Sequence, residues 1–109
     1  MDRTISVSVD QAGGTTADLV AGVTGKKIRV VSFCLSVGGA AVTVKSTLQD
    51  HTANTVRVTL VGNATTPVVY VYKGSDKDPA FEVLAGDALE LVTGTASAIS
   101  GFLTFQYVD

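Results

Sequence analysis

His51 is the only histidine in 109 residues, and it follows Asp50 in the polar run Gln49-Asp50-His51-Thr52-Ala53-Asn54. An Asp–His pair suits acid–base work, because a carboxylate can orient the imidazole and stabilise its charged form. Nucleophilic catalysis needs a third group. No serine sits in a G-x-S-x-G elbow, and no cysteine or second histidine lies near this pair in sequence. Asp50 and His51 therefore read as solvated loop residues.

The remaining carboxylates support no better site. Asp76 and Asp78 have the one-apart spacing of calcium loops, but the twelve-residue pattern that makes such spacing specific is missing, and Asp-Lys-Asp-Pro reads as an exposed turn. Glu82 and Glu90 are the only glutamates, each set to face solvent beside apolar neighbours, and nothing favours a glycosidase-like pair. Gly13-Gly14 and Gly38-Gly39 match turns rather than a phosphate-binding loop. Cys34, the only cysteine, excludes an intrachain disulfide and reads as a small buried apolar residue in mid-strand. Asn63-Ala64-Thr65 fits a glycosylation sequon that has meaning only on a secretory route. Tyr70, Tyr72 and Tyr107 read as half-buried core or interface residues rather than an aromatic ligand face. No catalytic, cofactor-binding or metal-ligating residue is assigned, and the chain is expected not to be an enzyme.

The elements that carry these residues are strands. The longest strand-forming run is Lys26–Val37, with Ile28, Val30 and Cys34 alternating against Val31, Phe33, Leu35 and Val37. Side chains alternate across a strand, so both faces of this one read as apolar, and both need cover. One face is expected to meet the core and the other a second copy of the chain. Thr4–Val9, Ala41–Leu48, Thr55–Val61 and Ala88–Thr93 alternate apolar with polar residues, as half-buried strands do. Thr16–Val23 is too tightly bounded by glycines for an ordinary helix and reads as a short strand. Gly38-Gly39 predicts a tight hairpin, Pro67 a strand start before Val68–Tyr72, and Lys73–Pro79 a turn. Ala80–Leu84 is a short strand, and Ile99–Val108 carries apolar residues on both faces. Eight or nine strands joined by turns, without a helix, predict an all-β single domain over residues 1–109. A β-sandwich of jelly-roll type suits the count.

Composition agrees with that class. Hydrophobic residues make up 46% and charged residues only 17%, so the surface must rely on Thr, Ser, Gly and Ala, as suits a protein packed into an assembly. The net charge is −2, and the eight cations are scattered apart from Lys26, Lys27 and Arg29, which argues against nucleic-acid binding. The N-terminal residues lack a basic-then-apolar leader, and no apolar run reaches the length of a membrane span, so synthesis in a cytosol is expected.

Two stretches together resemble a known group. From Ala17 to Val44, D-L-V-A leads through G-K-K-I-R-V into a long apolar strand; from Phe81 to Val108, G-D-A-L-E-L is followed by a G-x-L-x-F ending. Their order resembles the small jelly-roll capsid decoration or cement proteins of tailed bacteriophages, with the related head-fibre and knob domains. The resemblance implies a β-sandwich homotrimer on the outer surface of a virion, made in a bacterial cytoplasm and bridging subunits of the major capsid protein lattice. It implies no site residues. The alternative is a receptor- or carbohydrate-binding β-sandwich of a phage fibre, using its tyrosines and the loops at Gln49–Asn54 and Gly74–Pro79.

Overall fold

The computed structural model describes residues 3–38, 44–62 and 67–109. Nine strands and no helix occur among them: β1 (Ile5–Gln11), β2 (Thr16–Val20), β3 (Lys27–Val37), β4 (Val44–Asp50), β5 (Val56–Gly62), β6 (Val68–Tyr72), β7 (Phe81–Val83), β8 (Leu89–Val92) and β9 (Ile99–Val108). The first sheet runs β1-β9-β3-β6, with β7 also paired to β3; the second runs β2-β8-β4-β5, and every pairing is antiparallel. Apart from β4–β5 and β6–β7, successive strands cross between sheets, and β9 enters the middle of the first sheet. This is the strand order of a jelly-roll sandwich.

The Gly38-Gly39 hairpin is corrected by this topology. β3 pairs with β9, β6 and β7, and β4 pairs with β5 and β8, so the two flanking strands lie in different sheets. Gly38 donates its N–H to the Ala98 carbonyl at 2.8 Å instead of closing a hairpin ladder. Residues 39–43, and the sequon at Asn63-Ala64-Thr65, lie outside the described residues.

The central strand also departs from strict alternation. In the β3–β9 ladder Val30 pairs with Phe105 and Ser32 with Thr104, leaving Val31 as an extra residue in a bulge. One inserted residue reverses the facing of everything beyond it. Ile28 and Val30 therefore join Phe33, Leu35 and Val37 on one face, and all five lie in the core. Arg29, Ser32, Cys34 and Ser36 fall on the other face, none of them fully buried. β3 is thus apolar on one face, and the expectation of two apolar faces came from reading through the bulge.

The same bulge locates the turn between β6 and β7. β6 pairs with β3 at Phe33–Val37 and β7 at Ile28–Val30, so two strands share one edge of β3 on either side of Val31. Gly74 packs against the Val31 carbonyl so closely that a Cβ would collide with it. Asp76 in the turn accepts a hydrogen bond from the Gln106 amide at 2.9 Å, tying the turn over the outer face of the sheet.

Leucine, isoleucine and valine from both sheets fill the space between them. Ile28, Leu35, Leu48, Leu60, Leu89, Leu91, Ile99 and Leu103 are wholly inaccessible. Each such side chain stabilises the fold by about 1.5–3 kcal/mol relative to exposure. Tyr70 links the sheets at one side: its hydroxyl donates to the Val61 carbonyl at 3.0 Å and accepts the Val61 N–H at 2.9 Å.

Candidate functional site

Asp50 and His51 are neighbours in sequence but point to opposite sides. β4 runs through Asp50, two residues beyond the core residue Leu48 and on the same face, and Asp50 is 0% exposed. Its carboxylate accepts from Arg57 Nε and Nη2, both at 2.8 Å, and from the Leu84 N–H at 3.2 Å. A second bulge makes this pair possible. Leu48 pairs with Val58 and Gln49 with Val56, so Arg57 is the extra residue and turns inward. The side chain of Asp50 is a buried structural anion, which corrects its assignment to a solvated loop.

His51 begins the turn after β4 and is held by its N–H to the Ala88 carbonyl at 3.0 Å. Asp87 fixes the turn from below, with carboxylate oxygens accepting the N–H groups of Thr52 at 2.8 Å and Ala53 at 3.1 Å. It also accepts from the Ala88 N–H at 2.9 Å. Burial alone would raise the Asp87 pKa, but these backbone donors outweigh it and leave the carboxyl below its ordinary value.

The turn sets the imidazole against two carboxylates from other strands. His51 Nδ1 lies 2.7 Å from Asp18 Oδ1 on β2 and 2.9 Å from Glu90 Oε2 on β8. Asp18 and Glu90 are themselves direct cross-strand partners. Glu90 is not the solvent-facing residue its alternation implies. Its side chain is only 9% exposed, and its second oxygen accepts from the Gln49 amide at 3.0 Å. Gln49 is oriented in turn by the Thr47 hydroxyl at 2.8 Å. The hydrogen bond and charge of Asp18, followed by the charge of Glu90, raise the His51 pKa above its ordinary value. One imidazole nitrogen and two carboxylate oxygens thus lie within 4.8 Å of one another on the outer face of the second sheet. Cys34 lies on the other sheet, away from this cluster.

The other sequence candidates separate. Glu82 pairs with Arg29 on the first sheet at 2.9 Å, far in the topology from Glu90 on the second. Asp78 gives its carbonyl to the Tyr72 hydroxyl at 3.0 Å and to the Ser75 N–H at 3.2 Å, as a turn residue does. Tyr70, Tyr72 and Tyr107 pack against the core, and their hydroxyls donate to the carbonyls of Val61, Asp78 and Ala21. The half-buried reading of the three tyrosines is the one their burial supports. An open cleft of about 590 Å³ is lined by Lys27, Arg57, Phe81 and Glu82, of which Arg57 is paired with Asp50 and Glu82 with Arg29.

A second feature is the outer face of the first sheet. Cys34 is half-buried there, not enclosed as its sequence position implies, and it lies between Val71 on β6 and Phe102 on β9. Ser36 lies between Val69 and Ser100, and Ser32 beside Thr104. Ser8 and Ser6 extend these rows onto β1. Val69, Val71 and Phe102 are 58%, 57% and 47% exposed. Small hydroxyl residues surround them, and the Ser36–Ser100 row ends on β1 at the exposed Asp10.

No protein-family model, curated protein or solved structure matches this chain.

Proposed function

We propose that this chain is a non-enzymatic virion structural protein that acts by surface association. In this reading it is a homotrimer seated on the outside of a phage capsid and bridging subunits of the capsid lattice. The single observation that carries it is a strip on the outer face of the first sheet, where Val69, Val71, Cys34 and Phe102 are contiguous among serines and threonines, with Asp10 and the Arg29–Glu82 pair only at its margins. Contiguous apolar patches on a monomer mark interaction surfaces, and charge depletion is the compositional mark of an interface core. The molecule measures 43 × 26 × 18 Å, so its broad face is large enough for the roughly 800 Å² per partner of a standard interface. The jelly-roll order and the resemblance of Ala17–Val44 and Phe81–Val108 to capsid decoration proteins supply the setting. A protein that binds an assembled shell and not its free subunits stabilises the shell by mass action.

The test is mass in solution across a wide dilution range, measured by light scattering on the purified chain and on Phe102→Asp. The expected result is a particle near three times 11.2 kDa that falls to the single-chain mass in the variant, with its fold retained. A wild-type chain that stays at 11.2 kDa at every concentration would overturn the trimer. Shells prepared with and without the protein should then differ in heat resistance.

A further inference from the structure

We propose that Asp18, His51 and Glu90 form a binding site for one divalent transition-metal ion of the Zn²⁺ class. The donor chemistry is mixed: one imidazole nitrogen and two carboxylate oxygens, the set that first-row ions accept and that an all-oxygen calcium or magnesium site does not use. The spacing is that of a hydrogen-bonded cluster which an ion would open slightly. Ligand atoms about 2.1 Å from a common ion stand about 3 Å apart at right angles and about 3.4 Å apart in a tetrahedron, so the donors need separate by only a few tenths of an ångström as the ion replaces the Nδ1 proton. His51 Nδ1 lies 2.7 and 2.9 Å from the two carboxylates, and all three donor atoms fall within 4.8 Å.

A second, independent observation is the placement of charge. Asp18 and Glu90 are direct partners across two antiparallel strands, an arrangement that disfavours the sheet when both carry the same charge. Glu90 is also nearly inaccessible, where water screens little. Without an ion, His51 is the one group set between the two carboxylates, and a divalent cation would take that place with twice the charge while keeping the imidazole as a ligand. Arg57, on β5 of the same sheet, is committed to Asp50.

The surrounding groups hold the three donors ready. Gln49 fixes the far oxygen of Glu90, and Thr47 fixes Gln49. Asp87 holds the turn that presents His51. Such supporting groups tune metal affinity by about 10–100-fold. Asp18 and His51 are 43% and 51% exposed, so the site opens to solvent and leaves room for water or an outside donor in the remaining positions. An ion there would clamp β2, β8 and the β4–β5 turn together.

The test uses untagged, chelator-stripped protein and zinc chloride alone, followed by calorimetry and by thermal melting, with magnesium chloride as the hard-cation control. The expected result is one Zn²⁺ per chain with a raised Tm and no matching response to Mg²⁺. His51→Ala and Asp18→Asn, both at exposed positions that leave the core intact, should each weaken binding by at least about tenfold, and Gln49→Ala by about 10–100-fold. Co²⁺ substituted into the site should give a visible spectrum that His51→Ala removes. Absence of saturable Zn²⁺ binding by the wild type would overturn the proposal. So would Zn²⁺ binding of equal strength in His51→Ala and Asp18→Asn.

Discussion

Arg57→Met is the sharpest probe of how this sandwich is held at one end. Asp50 is wholly inaccessible and takes two 2.8 Å hydrogen bonds from the guanidinium. Without Arg57 its only remaining partner in this network is the Leu84 N–H at 3.2 Å. A buried charge stripped of its counter-ion costs about 3–5 kcal/mol. Domains have only about 5–15 kcal/mol in total, so the loss approaches the threshold of folding. At about 4 °C per kcal/mol for a domain of this size, the melting temperature should fall by about 12–20 °C. Chemical denaturation of the wild type, Arg57→Met, Asp50→Asn and the double variant forms a cycle that isolates the coupling. Asp50→Asn/Arg57→Met removes the stranded charge and keeps an oxygen for Leu84, so it should recover at least half of the Arg57→Met loss. An Arg57→Met cost below about 1 kcal/mol, or a double variant as unstable as the sum of the singles, would refute the reasoning.

Three further outcomes are expected. Phe33→Asp puts an unpaired charge into the core and should yield no soluble folded protein by circular dichroism, while Ser36→Asp, on the outer face of the same strand, should fold normally. Gly101→Ala should destabilise by about 2–4 kcal/mol in a denaturant melt. Gly101 has a φ of +141°, and an added Cβ would strike the Cys34 carbonyl. In the presence of chelator, stability should be greatest on the acid side of neutrality. The raised His51 pKa contributes stability that is fully present below 6.5 and lost as pH rises through the folded-state value above it. The lowered Asp87 pKa contributes stability present above 3.8 and lost as pH falls through its folded-state value. Melting across this range should therefore show both declines, and His51→Ala should flatten the alkaline one.

The strand inventory was largely legible in the sequence, because alternation and turn residues are local. Val68–Tyr72 and Ile99–Val108 coincide with β6 and β9, and β3 begins one residue later than its apolar run. Facing was less legible. The bulges at Val31 and Arg57 each insert a single residue, which reverses parity without leaving a mark in composition. Val31 made one apolar face look like two, and Arg57 looked solvent-facing when it serves a buried acid. The Asp18–His51–Glu90 cluster was hidden for another reason. Its members come from three elements that become neighbours only through the sheet order β2-β8-β4, and no local spacing encodes that order.

The position of β9 sets a temporal order on the chain. It is the ninth of the described strands in chain order, yet it lies between β1 and β3, and Ile5 must wait for Phe105 before it has a partner. A nascent chain that has not yet produced Ile99 can close hairpins such as β4–β5, but β1 and the inner edge of β3 remain open. Closing loops of such length is slow, and unpaired strand edges invite pairing with other chains in the interval. The molecule is therefore most vulnerable to aggregation just before its synthesis passes residues 99–108, and a ribosome stalled short of them would hold a first sheet with its middle missing.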